Sequence, residues 1–131
     1  MFDINPVNAD PIWRQIEEGM RRMISLGTLS PGGAVPSVRD LAQQLRVNPN
    51  TVARAYQRLT DAGLFTVRRG EGTFVSESPS QLKKSERNEA LREAAGRYAG
   101  TALSIGATLE QATTELESGF ERLTREHRRK A

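Results

Sequence analysis

PSVRDLAQQLRVNPNTVARAYQRL, residues 36–59, is the stretch that decides the fold. Ser37 follows a proline and precedes Asp40 by three positions, an arrangement that caps a helix N-terminus. Val38, Leu41, Ala42 and Leu45 then recur at helical spacing and give that helix one apolar face. Arg46-Val47-Asn48 makes a three-residue turn. The next helix starts at once, with Asn48 as its cap and Pro49 at the first position, where a missing N–H costs nothing. It runs to Ala62 ahead of Gly63, with Val52, Tyr56 and Leu59 as its inward stripe. Two helices joined by so short a turn must cross steeply, as in a helix-turn-helix.

Upstream, a first helix is expected from about Pro11 to Leu26. Asp10 serves as its cap, Pro11 as its first residue and Gly27 as its end. Ile12, Ile16, Met20, Met23 and Ile24 form its apolar stripe, and Ser30-Pro31-Gly32-Gly33 breaks the chain after it. Downstream the period changes. Residues 64–69 and 73–76 are rich in β-branched and aromatic residues and flank Gly70-Glu71-Gly72, which reads as a hairpin with a glycine-bearing tip.

Beyond the polar, proline-bearing run 76–80 come two more amphipathic helices. Leu91, Ala95, Tyr98, Ala102 and Ile105 mark one seam; Leu109, Ala112, Leu116, Phe120 and Leu123 mark the other. Thr108-Leu109-Glu110-Gln111 is a full capping box, and Gly106-Ala107 is the corner between the helices. With no other element to cover them, these seams are expected to pack on each other and on a second subunit. The fold class is mainly α with a small β-hairpin wing. A winged helix-turn-helix domain (residues 1–76) is followed by a linker (77–82) and a two-helix dimerisation tail (83–131).

Composition removes several functions. There is no cysteine, so neither disulfides nor zinc–thiolate sites exist. His127 is the single histidine, and no metal or other cofactor is expected. No assembled nucleophile or phosphate-cradling loop points to an enzyme. No apolar run is long enough for a membrane span, and the N-terminus lacks a basic-then-apolar leader, so a cytoplasmic location is expected. Residues 1–76 hold nine Lys/Arg against seven Asp/Glu, so bulk charge alone does not select a nucleic-acid partner. The placement of the arginines does.

Reading a duplex needs small polar side chains at the helix end that enters the major groove, and cations flanking it. Asn50 and Thr51 occupy the leading turn of the third helix. Arg54 lies one turn on, suited to a bidentate contact with guanine, and Arg58 one turn further, suited to phosphate. Ser37 and Arg39 offer a phosphate seat at the preceding helix N-terminus. Arg68, Arg69 and Gly70 sit at the hairpin tip, where a narrow minor groove favours arginine. Trp13 and Tyr56 read as core residues rather than base-stacking platforms.

Residues 11–76 resemble the DNA-binding domain of the GntR family of bacterial regulators. The resemblance is carried by PIWRQI (11–16), LSPG (29–32), PSVRDLA (36–42), NPNTVARAY (48–56), DAGL (61–64) and RGEGTFV (69–75). The short tail and the Asn-Pro-Asn-Thr-Val-x-Arg-Ala-Tyr wording are similar to the YtrA-like subfamily. Many other members carry arginine in place of Pro49 and of Ala53, so base reading here rests more on Asn50, Thr51 and Arg54. The resemblance implies DNA contacts at Arg39, Thr51, Arg69 and Gly70. It also implies homodimers on a two-fold-symmetric operator, often in control of transporter genes. The tail seam reads as a packing face rather than an effector pocket. A winged fold kept only for protein–protein contact is the main rival, and Arg39, Arg54 and Arg69 argue against it.

Overall fold

The first helix, α1 (Ile12–Ser25), has Pro11 rather than Asp10 at its cap position, with no side-chain cap bond. Asp10 is drawn elsewhere: Gln15 Nε2 donates to the Asp10 carbonyl (3.0 Å) and the Asn5 carbonyl (2.9 Å), while Gln15 Oε1 accepts from Asn5 N (2.8 Å). Three bonds to one amide fold the N-terminal segment back against α1. That segment also carries Phe2, buried beside Gly19, where any Cβ would lie 2.8 Å from the Phe2 ring. A mid-helix glycine costs about 0.5–1 kcal/mol relative to alanine. Here it makes room for an aromatic ring.

In this computed structural model the described residues are 1–78 and 84–130, the last four without side chains. His127 and most of the 77–82 segment therefore lie outside the described side chains. The chain divides into two units, one holding α1 to the hairpin and one holding the last two helices.

In the first unit, α2 (Val38–Leu45) is capped by Ser37, whose Oγ accepts from Asp40 N at 3.0 Å. Arg46 takes the left-handed conformation (φ 57°), which lets Val47 N close back on the Ala42 carbonyl at 3.0 Å. The chain is then aimed into α3 (Pro49–Asp61), capped by Asn48 Oδ1 on Asn50 N at 2.8 Å. Ile16 and Met20 from α1, Leu41 from α2, and Val52 and Leu59 from α3 are fully buried together. Tyr56 meets the Phe65 ring edge-on at 5.1 Å, and its hydroxyl donates to the Pro36 carbonyl at 2.7 Å. Burial raises the Tyr56 pKa above that of an ordinary phenol, so the hydroxyl stays protonated and keeps donating. Both aromatic readings thus divide: Tyr56 is core, while Trp13 is only half-buried.

The wing is the antiparallel pair β1 (Phe65–Arg68) and β2 (Gly72–Val75), in register from Phe65↔Val75 to Arg68↔Gly72. Gly70 turns the tip at φ 79°. Residues 32–35 depart from the simple chain break expected there. Ala34 bridges Phe74, Gly32 N donates to the Val75 carbonyl (2.9 Å), Val75 N to the Gly33 carbonyl (2.8 Å) and Val35 N to the Thr73 carbonyl (3.0 Å). They bridge to the β2 edge without forming a strand, satisfying backbone groups that an open edge would leave unpaired.

The second unit holds α4 (Lys84–Ser104) and α5 (Leu109–Lys130). Its capping box forms in full: Gln111 N to Thr108 Oγ1 at 3.1 Å, and Thr108 N to Gln111 Oε1 at 2.9 Å. Tyr98 Oη donates to the Ala112 carbonyl at 2.8 Å near the corner. The expected packing of one seam on the other does not occur. No described tail side chain is buried, and Leu91, Tyr98, Ile105, Leu109, Leu116 and Phe120 are all exposed. The helices meet at their corner, so their apolar residues find little cover within the unit.

Candidate nucleic-acid interface

The first unit sorts its predicted contact residues into two groups. Arg39, Asn50, Arg54, Arg69 and Gly70 are exposed and Thr51 is half-buried. Ser37 is exposed too, with its Oγ committed to the α2 cap. Arg39, Arg54 and Arg69 have no carboxylate partner among the described residues. A cation left in water at such a place can exchange its solvation shell for a phosphate or a base edge.

Arg58 and Arg68 are engaged within the protein. Arg58 Nε donates to Glu17 Oε2 at 2.8 Å, and its guanidinium lies 4.7 Å from the Trp13 ring centroid. Arg68 lies 4.2 Å from the Phe74 ring and 3.6 Å from Glu77. These contacts hold both side chains against the protein body, so the cations of α3 and the wing tip with no carboxylate partner among the described residues are Arg54 and Arg69.

The sequence reading misses Glu17 at this site and assigns Trp13 to the core. Trp13, in the first turn of α1, receives the Arg54 guanidinium at 4.4 Å as well as that of Arg58. Glu17, one turn on, is the buried charged residue of the unit and also pairs with Arg21 at 3.4 Å. A carboxylate buried this far is stable only when paired, and two guanidinia supply that. The available signal was a tryptophan next to, rather than on, an apolar stripe, facing arginines at i and i+4 on another helix.

Residues 13–75 match the family described as "Bacterial regulatory proteins, gntR family". The HTH-type transcriptional regulator Rv1152 of Mycobacterium tuberculosis is 39% identical over 103 residues, covering 79% of this chain and 77% of that one. The chain belongs to the gntR family. Among gntR relatives, the HTH-type transcriptional repressor YtrA of Bacillus subtilis is 41% identical over 78 residues, 60% of each chain. The likeness extends past the winged domain. A crystal structure described as a transcriptional antiterminator from Listeria monocytogenes matches 95% of this chain and 92% of that one, with TM-score 0.76 and 26% identity. As a gntR protein this is a DNA-binding transcription regulator rather than an enzyme. Among the described residues no helix is long and apolar enough to cross a membrane.

Proposed function

We propose that this regulator is a cytoplasmic, homodimeric repressor that binds an inverted-repeat operator, with transporter genes as the class of target. The observation that carries this reading is the pairing of two unsatisfied surfaces on one chain. Among the described residues Arg39, Arg54 and Arg69 lack carboxylate partners, and the tail leaves its apolar seams largely in solvent. Asn50, Thr51 and Arg54 read base edges in the major groove, while Ser37 and Arg39 seat a phosphate at the α2 N-terminus. Arg69 and Gly70 bring the wing tip to the minor groove. Residues 83–131 associate with the same residues of a second copy through Leu91, Ala95, Tyr98, Ala102, Ile105, Leu109, Leu116, Phe120 and Leu123. The dimer then presents two winged domains (residues 1–76) to two half-sites, so the symmetry of the operator follows that of the protein.

The name of YtrA, a repressor, supports the direction of regulation. The transporter assignment rests on the YtrA-like wording of α3 and the short tail. Footprinting on the promoter nearest the gene, with light scattering of the protein alone and bound, tests the reading. Two protomers per protected inverted repeat are expected. A monomer that shows no preference for that repeat over scrambled duplex would overturn it.

A further inference from the structure

We propose that Trp13 is a positioning residue for base reading. Its ring holds the Arg54 guanidinium in place before DNA arrives, and Glu17 keeps Arg58 from competing for that task. This rests on the reading of Arg54 as a base-contacting residue. The Arg54 guanidinium lies 4.4 Å from the Trp13 centroid, and among the described residues the side chain has no ion pair or hydrogen bond. Stacking on Trp13 is therefore the contact that restricts it. Arginine in water samples many rotamers, and a bidentate contact demands one planar orientation. A ring on a facing helix removes part of that freedom in advance, so less is lost on binding.

Glu17 completes the device. It is buried, it takes Arg58 Nε at 2.8 Å and it pairs with Arg21 at 3.4 Å. Guanidinia gathered over one ring repel each other, and Arg14 adds a third at 5.7 Å; the carboxylate offsets the charge of Arg58 and anchors it. Arg54 keeps its charge unopposed. Trp13 and Glu17 both belong to α1, whose buried Ile16 and Met20 share a core with Val52 and Leu59 of α3. The ring is thus carried on a rigid support relative to the reading helix.

Anisotropy titrations test this, using the inverted repeat located by footprinting, single-base variants of it and a scrambled duplex. The proteins are wild type, Trp13→Ala, Trp13→Phe, Trp13→Leu, Arg54→Ala and the Trp13→Ala/Arg54→Ala double variant. Trp13→Ala is expected to lose about threefold to tenfold in affinity for the repeat and much less for scrambled duplex. Trp13→Phe should recover most of that loss and Trp13→Leu should not. In the Arg54→Ala background, removing the ring should cost nothing further.

Because Trp13 is the sole tryptophan, its emission reports the stack directly. Arg54→Ala should shift the emission of the free protein, a readout available even if Trp13→Ala folds poorly. Equal losses on repeat and scrambled duplex, additive losses in the double variant, or rescue by leucine would each overturn the proposal. If Arg54→Ala itself leaves base discrimination unchanged, the reading of Arg54 fails first, and that result is separable from a failure of Trp13 alone.

Discussion

The winged unit and the tail are both largely helical, yet they treat apolar side chains in opposite ways. In the winged unit, Ile16, Met20, Leu41, Val52 and Leu59 have no exposed surface, and even a glutamate is buried, paired with two more exposed arginines. In the tail, helices of 21 and 22 residues leave Leu91 67% and Phe120 68% exposed. Isolated helices draw little stability from propensity alone and depend on burial of an apolar face. Covering one such side chain is worth about 1.5–3 kcal/mol. The winged unit is therefore stabilised from within. The tail is stabilised by whatever covers it, and the proposed cover is a second copy of itself.

The hardest blow to that contrast is a charge placed in the exposed seam. Phe120→Glu should convert the protein to a monomer by light scattering and lower operator affinity by roughly 10²–10⁴-fold, through loss of the linked half-site. An unchanged mass would show that the seam has another role. Next, Leu59→Ala should destabilise the protein by about 2–5 kcal/mol in urea unfolding, because it empties space in a sealed core. That loss should be independent of protein concentration, whereas the melting of a tail variant should depend on it. A concentration-dependent effect of Leu59→Ala would merge the two regions into one cooperative unit.

Smaller effects sharpen the division of labour inside the winged unit. Arg54→Ala should weaken operator binding by about 1–3 kcal/mol and relax preference at one base pair, read by titrating operator variants. Arg69→Ala should weaken binding to all duplexes alike and make the salt dependence about one unit shallower. A wild-type slope would remove the wing tip from the phosphate contacts.

The legible parts of this molecule are those set by neighbours in sequence. Ser37 and Asn48 cap the helices as read because a cap bond spans only two or three residues. The stripe Val52, Tyr56, Leu59 is buried as its spacing implies. The hairpin forms around Gly70 because few other residues tolerate its backbone. What escaped were pairings across long separations. Phe2 finds Gly19, residues 32–35 find β2, and Glu17 finds Arg58. None of these leaves a period in the chain. The tail misreading has a different origin: amphipathic spacing shows that a helix needs cover, but not which surface provides it.

The bridged segment 32–35 has one further consequence. Its backbone is stitched to Val75 and Thr73 on the wing, and the next residue, Pro36, is held by Tyr56 of α3. The approach to α2 is thereby tied to both the hairpin and α3, and the wing has little room to swing by itself. On the proposed contacts, the span from Arg39 to Arg69 then acts as a fixed gauge. A duplex whose grooves do not match it must bend to fit or forgo one of those arginines. Base steps that no side chain touches would be selected through their stiffness.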